Sequence, residues 1–190
     1  MKHADIPLTD LGKQQAVAVA GLLPTAPTEV LSSPFIRAWD TSRPYCELRA
    51  VEAQRVAELQ EFDALDPDLL AGMTGEQRRP IADAYWNEAD PAKRMGVQAE
   101  TFHEFAARVG DFRVNWMPRL SSDAVAFGHG IWIGMLFWQL IGFATQDSAD
   151  MKAFRRFQLG LPMPNCAVYR VEEVADGRWL TKVGTRQMRG

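Results

Sequence analysis

The chain has 190 residues, 47% of them hydrophobic, and its 21 Lys and Arg against 24 Asp and Glu give a formal net charge of −3. This composition is typical of one soluble globular domain, and it excludes a disordered chain and a disulfide-rich scaffold. No long run of Lys or Arg is present to bind a phosphate backbone, so we expect no nucleic-acid partner. Cys46 and Cys166 fit no metal-ligand spacing, and the first residues lack the apolar segment of a secretory signal, so we expect two reduced thiols in a cytoplasmic protein.

Helical and strand patterns alternate along the chain, which predicts an α/β domain over residues 1–190 with a mostly parallel sheet. In the first part of the chain the pattern predicts a helix over 10–23 capped by Thr9, a strand over 29–33, a helix over 34–48 that begins at Pro34, and a strand over 54–59. A helix follows a capping box of Thr74 and Gln77, and a long amphipathic helix covers 99–120. The remaining predicted elements are a strand over 123–127, helices over 131–141 and 148–157, and strands over 166–174 and 178–183 that are separated by Ala175, Asp176 and Gly177.

Residues 124–144 contain no Asp, Glu, Lys or Arg and are numerous enough to cross a bilayer. Gly128, His129, Gly130 and Gly134 interrupt this segment, and no cluster of Lys or Arg flanks it. We therefore favour a buried strand, a glycine turn and a buried helix over a membrane span, and expect no membrane partner.

Two polar junctions follow predicted strands, and open parallel sheets bind ligands at the carboxyl ends of their strands. Arg37, on the first turn of a helix, suits a phosphate or carboxylate; the alternative is a surface arginine in an ion pair. His129, between two glycines, can donate hydrogen bonds, move a proton or hold charge; the alternative is a core histidine bonded to backbone.

Other motifs are incomplete. His103 and Glu104 begin the zinc motif H-E-x-x-H, but Ala107 stands where the second histidine belongs, so we expect no metal. Gly128, Gly130 and Gly134 resemble a dinucleotide-binding turn with one residue too many, which leaves a dinucleotide-binding protein as a further alternative.

Several segments, taken together and in order, resemble the histidine phosphatase superfamily, which includes the cofactor-dependent phosphoglycerate mutases. The similarity extends from about residue 7 to residue 175. The matching motifs are P-L-T-x-x-G at 7–12, S-S-P-x-x-R-A with a following Thr at 32–41, L-x-E at 59–61, a G-E-S-like helix start at 99–101, an S-H-G-like turn at 128–130, and a late Asn165 before a strand.

The resemblance implies a three-layer α/β/α sandwich and metal-independent catalysis through a phosphohistidine, without a cofactor. It implies that Arg37 and His129 bind the phosphoryl group of a small phosphorylated metabolite, and that Glu61 donates a proton to the leaving oxygen. Between Glu61 and Glu100, the side chains Met73, Tyr85, Trp86 and Met95 either line a substrate pocket or belong to the core.

The family's first motif, a strand ending in R-H-G that supplies the nucleophilic histidine, has no counterpart in this sequence. Lys2-His3-Ala4 does not replace it, because no strand precedes His3 and only three residues separate it from Pro7. By resemblance we expect a domain that is incomplete at its N-terminus and inactive or nearly so. The alternatives are a longer natural chain that carries R-H-G, a non-catalytic relative that binds phosphorylated ligands or a protein, and an unrelated binding protein.

Overall fold

The structure, a computed structural model, describes residues 3–174 and 177–183. No helix in these ranges is long and apolar enough to cross a membrane. The helices are α1 (Asp10–Ala20), α2 (Ile36–Arg49), α3 (Gly75–Glu88), α4 (Phe102–Asp111), α5 (Gly130–Leu140) and α6 (Ser148–Gly160), and the strands are β1 (Val30–Ser32), β2 (Ala53–Arg55), β3 (Val125–Phe127), β4 (Val168–Val174) and β5 (Gly177–Val183).

The chain forms two compact units. The helical unit contains His3, Glu61–Pro118 and Gly130–Leu161, and therefore α3 to α6. The sheet unit contains Ala4–Gln60, Arg119–His129 and the described residues from Pro162 onward, and therefore α1, α2 and all five strands. The prediction that residues 1–190 form one domain stays a prediction.

The sheet unit is organised around β1, which pairs in parallel with β2 on one side and β3 on the other. Leu31 is opposite Gln54 in β2 and Ala126 in β3. Apolar residues of α1, α2, β1 and β3 form the core beside this sheet: Ala20, Val30, Tyr45, Val125 and Phe127. Because the three strands run the same way, their carboxyl ends lie along one edge of the sheet. The strands β4 and β5 form a separate antiparallel pair.

The start of α2 differs from the prediction. The helix begins at Ile36 rather than at Pro34, because Phe35 is still extended (φ −64°, ψ 132°) and donates its N–H to Ser33 Oγ over 3.3 Å. Arg37 nevertheless lies on the first turn, as predicted.

The predicted helix over 99–120 is wrong in its length. Its α-helical part, α4, is capped by Thr101 and ends at Asp111, after which the chain forms a π-helical turn over Phe112–Trp116 and a 3₁₀ turn over Met117–Arg119. Pro118 has no N–H to donate one turn back, so regular α-helical bonding cannot continue to residue 120 as predicted.

Aromatic rings fill the core of the helical unit. The Phe62 ring stacks on Phe105 with centroids 4.4 Å apart and meets Trp86 edge-on at 5.9 Å, and Phe154 lies 5.6 Å from Phe102. Tyr85 and Trp86 are buried in the core, whereas Met73 and Met95 are half-buried.

The turn residues predicted between the last two strands are only partly covered by the structure. Ala175 and Asp176 lie outside the described residues, while Gly177 begins β5.

A buried aspartate joins the loop after Glu61 to the segment before α4. Asp66, 3% exposed, donates its N–H to the Met95 carbonyl over 2.9 Å, and its carboxylate accepts from the N–H groups of Gln98 at 2.7 Å and Asp68 at 2.9 Å. These backbone donors, that of Gln98 foremost, lower the pKa of Asp66. Gly96 lies against this residue, and a Cβ there would be 2.3 Å from Asp66 Cβ.

We expect Gly96→Ala to lower the free energy of unfolding by about 2 kcal/mol or more, measured by urea denaturation, because it adds a steric clash to a positive φ of 105°. Gly72→Ala is the matched control, since Gly72 also has a positive φ (75°) but a Cβ there has nothing within 4 Å. It should cost only about 1 kcal/mol. Equal losses in the two variants would contradict the close packing of Gly96 on Asp66.

Candidate functional site

The carboxyl ends of β1 and β3 bring a serine and a histidine together. Ser33 follows β1, and its N–H donates to the Phe127 carbonyl at the end of β3 over 2.9 Å. His129 lies two residues after Phe127 and is only 7% exposed. Its Nε2 shares a hydrogen bond of 2.8 Å with Ser33 Oγ. The strand pairing therefore fixes the imidazole at the sheet edge.

Phe35 connects this histidine to Arg37. The Phe35 ring lies 5.2 Å from the His129 ring, centroid to centroid, at an angle of 57°. The Arg37 guanidinium carbon lies 5.1 Å from the centroid of the same Phe35 ring. Arg37 and His129, which the sequence placed at separate junctions, are thus neighbours of one buried ring in the sheet unit.

Glu61, in the helical unit, binds the beginning of α5. Its Oε1 accepts hydrogen bonds from the N–H groups of Phe62 at 2.9 Å and Trp132 at 3.0 Å, and its Oε2 accepts from Ile131 N–H at 3.1 Å. The first N–H groups of a helix have no partner within the helix, so this carboxylate acts as a cap.

Burial has a larger effect on the pKa of Glu61 than its hydrogen bonds do. The side chain is 8% exposed, and its desolvation raises the pKa, while the three backbone N–H bonds and the charge of His3 act in the opposite direction. A carboxyl whose pKa is raised and whose oxygens are fixed is suited to hold and release a proton.

Two side-chain contacts near Glu61 were not predicted. Arg108 donates from Nε and Nη2 to the two carboxylate oxygens of Glu100 at 2.8 and 2.7 Å, and its Nη2 also reaches the Glu61 carbonyl at 3.4 Å. His3 Nδ1 lies 2.5 Å from Asp63 Oδ1. His3 and Asp63 lie 60 residues apart, so no local pattern indicated their contact. Glu100 and Arg108 are only eight residues apart, but Glu100 precedes α4 instead of lying inside the predicted helix, so helical spacing did not indicate this pair. The remaining histidine, His103, is exposed on α4 and its Nε2 lies 3.0 Å from the Gln146 carbonyl.

Within residues 3–174 and 177–183, no group of three or more His, Cys, Asp or Glu is arranged to hold a metal ion.

A sequence model of the histidine phosphatase superfamily (branch 1) matches residues 1–185. The chain belongs to the histidine phosphatase superfamily. The resemblance found in its motifs is therefore confirmed. No curated protein sequence matches the chain.

Solved structures show the same fold. The chain is similar to the α-ribazole phosphatase from Shigella flexneri, with 20% identity, a TM-score of 0.70, and coverage of 97% of this chain and 90% of that one. It is similar to a mycobacterial glucosyl-3-phosphoglycerate phosphatase, with 22% identity, a TM-score of 0.67, and coverage of 94% and 86%. The predicted phosphoglycerate mutase-like α/β fold is confirmed.

We expect Glu61→Ala to lower the free energy of unfolding by about 1–3 kcal/mol, measured by urea denaturation near pH 5, because buried N–H groups at the start of α5 lose their acceptor. Glu76→Ala is the matched control, since Glu76 is an exposed glutamate on the first turn of α3. It should change stability by less than about 0.5 kcal/mol.

The effect of Glu61→Ala should also depend on pH. Because the pKa of Glu61 is raised in the folded state, its contribution to stability is complete below the ordinary carboxyl pKa and is lost as the pH rises through the raised value. The difference between wild type and variant should therefore be smaller near pH 8 than near pH 5. A difference that grows with pH would show that the N–H bonds outweigh burial.

Proposed function

We propose that this superfamily fold serves the metal-independent hydrolysis of a phosphomonoester through a phosphohistidine, and that Arg37 and His129 bind the phosphoryl group. The observation that carries the proposal is the placement of both side chains around Phe35 at the carboxyl edge of β1 and β3. The solved structures of similar fold that bear phosphatase names support the same activity class.

The chemistry of phosphoryl transfer fits these side chains. The transferring group spreads negative charge over its oxygens, so catalysis depends mainly on fixed positive charge and hydrogen-bond donors. The planar fork of donors on Arg37 suits two phosphate oxygens. His129, when protonated, adds a donor whose orientation the strand pairing fixes.

Glu61 is proposed as the proton donor and acceptor. In the first step the P–O bond of the ester breaks as a P–N bond to the nucleophilic histidine forms, and Glu61 gives its proton to the leaving oxygen. In the second step Glu61 takes a proton from water as the water oxygen attacks phosphorus, which releases phosphate and frees the histidine. The raised pKa of Glu61 favours the protonated form that the first step needs.

The nucleophilic histidine is not among the residues of this sequence. No R-H-G occurs in it, and His3 begins a 3₁₀ turn, His3–Asp5, instead of following a strand. We therefore propose that the 190-residue chain binds the phosphoryl group but turns over slowly or not at all. This absence also favours the second candidate, a non-catalytic relative that binds phosphorylated ligands.

A dinucleotide-binding function is not favoured. In that function a pyrophosphate would accept hydrogen bonds from the first N–H groups of the helix after the glycine turn. In this protein the N–H groups of Ile131 and Trp132 already donate to Glu61.

We expect the chain to bind inorganic phosphate in the presence of a chelator, measured by isothermal titration calorimetry. Arg37→Ala should weaken phosphate binding by about 10- to 100-fold, because it removes charged donors to the phosphate. The phosphate affinity of Arg37→Lys should lie between those of the wild-type chain and Arg37→Ala. Arg43→Ala is the matched control, since Arg43 is an exposed arginine on the same helix, paired with Glu47. Unchanged phosphate binding by Arg37→Ala would contradict the proposed site.

We expect almost no hydrolysis of p-nitrophenyl phosphate by the 190-residue chain. A rate above background that Arg37→Ala abolishes would show that some residue of this chain acts as the nucleophile. Translation of the DNA upstream of Met1 separates the two candidate functions: an in-frame apolar strand ending in R-H-G favours the phosphatase, and a stop codon directly upstream favours the non-catalytic relative.

A further inference from the structure

Arg55 lies on the same sheet edge as the proposed phosphate site. It is the last residue of β2, and its Cα pairs with that of Ser32, the last residue of β1. The N–H of the next residue, Val56, donates to the Ser32 carbonyl over 2.9 Å. Adjacent strands are about 4.8 Å apart, so Arg55 begins one strand away from Ser33, the residue that binds His129.

The Arg55 guanidinium rests on an aromatic ring that belongs to the same helical turn as Arg37. Its central carbon lies 4.2 Å from the centroid of the Trp39 ring. Trp39 in turn donates its N–H to the Phe35 carbonyl over 3.0 Å on the first turn of α2. Stacking fixes the plane of a guanidinium and leaves the N–H groups at its rim able to bind an anion.

Two further observations distinguish this arginine. Within the part of the chain that the structure describes, no carboxylate forms an ion pair with Arg55, so its charge is not neutralised there. A second stacked arginine of the sheet unit, Arg49 on Tyr45, is the last residue of α2 and so lies away from the helix start where Arg37 is found. Arg55 thus brings a fixed positive charge to the carboxyl ends of the strands.

We propose that Arg55, held on Trp39, forms a second anion-binding subsite beside Arg37 and His129. The ligand class is then a phosphomonoester that carries another anionic group, a carboxylate or a second phosphate, on the side of β2. This inference rests on the proposed phosphate site and adds the substrate class to it.

The test measures binding by isothermal titration calorimetry with two ligands that cannot be hydrolysed. Methylphosphonate has only the phosphonate end, and 3-phosphonopropionate adds a carboxylate on a short chain. The wild-type chain should bind 3-phosphonopropionate about 3- to 10-fold more tightly than methylphosphonate, the gain expected of one charge-assisted contact at a solvent-exposed position.

Variants assign that gain to Arg55. Arg55→Gln should abolish the preference for 3-phosphonopropionate and leave methylphosphonate binding unchanged, because the substitution removes charge at the second subsite alone. Trp39→Leu should reduce the preference, and Trp39→Phe should retain most of it, because a phenyl ring still supports the guanidinium. Arg43→Gln removes the same charge from the exposed face of α2 and should leave the preference intact.

The outcomes separate this inference from the proposed function. If neither ligand binds, the phosphate site itself is refuted, and the subsite with it. If methylphosphonate binds and 3-phosphonopropionate gains nothing, or if Arg43→Gln removes the gain as fully as Arg55→Gln does, the Arg55 subsite is refuted while the phosphate site stands.

Discussion

The parallel pairing of β1 with β3 is the constraint on which the candidate phosphate site depends. It places Ser33 and His129 at the ends of neighbouring strands, and the 2.8 Å hydrogen bond between them follows from that placement. The same strand leads into α2, whose first turn carries Arg37. Ser33 and His129, 96 residues apart in the sequence, are therefore positioned by one register. A shift of one residue along β3 would exchange the buried and exposed faces of this strand and displace the histidine.

In the helical unit, the burial of Glu61 is opposed by the hydrogen bonds that its carboxylate accepts. A buried carboxylate costs free energy unless donors satisfy it, and a helix start supplies N–H groups that have no other acceptor. Two N–H groups at the start of α5 and the N–H of Phe62 donate to Glu61, yet burial still dominates and raises the pKa of this side chain. A structural cap and a proton-transfer group are thus compatible in one side chain: the bonds fix its position, and the burial keeps a proton available.

The sequence allowed the alternation of elements, the junctions of Arg37 and His129, and the caps at Thr9 and Thr74 to be predicted, because each depends on local pattern or on the order of strands. Phe35 could not be recognised, since its role comes from a ring that two distant residues approach. The extended backbone at Phe35 accompanies a bond from its N–H to Ser33 Oγ, and α4 changes into a π-helical turn at Phe112 without any motif that marks the change. Neither feature follows from helix propensity, which predicts only that helical residues are present.

The bond between His129 and Ser33 also bears on what the histidine can do. A nucleophilic imidazole needs a free lone pair on the attacking nitrogen. If the Ser33 hydroxyl donates to Nε2, that lone pair is engaged; if Nε2 carries the proton, it has no lone pair to offer. In both tautomers of the neutral ring Nε2 bonds to Ser33, and the ring packs against Phe35. This fixed orientation beside Arg37 fits the proposed role of His129 in binding the phosphoryl group.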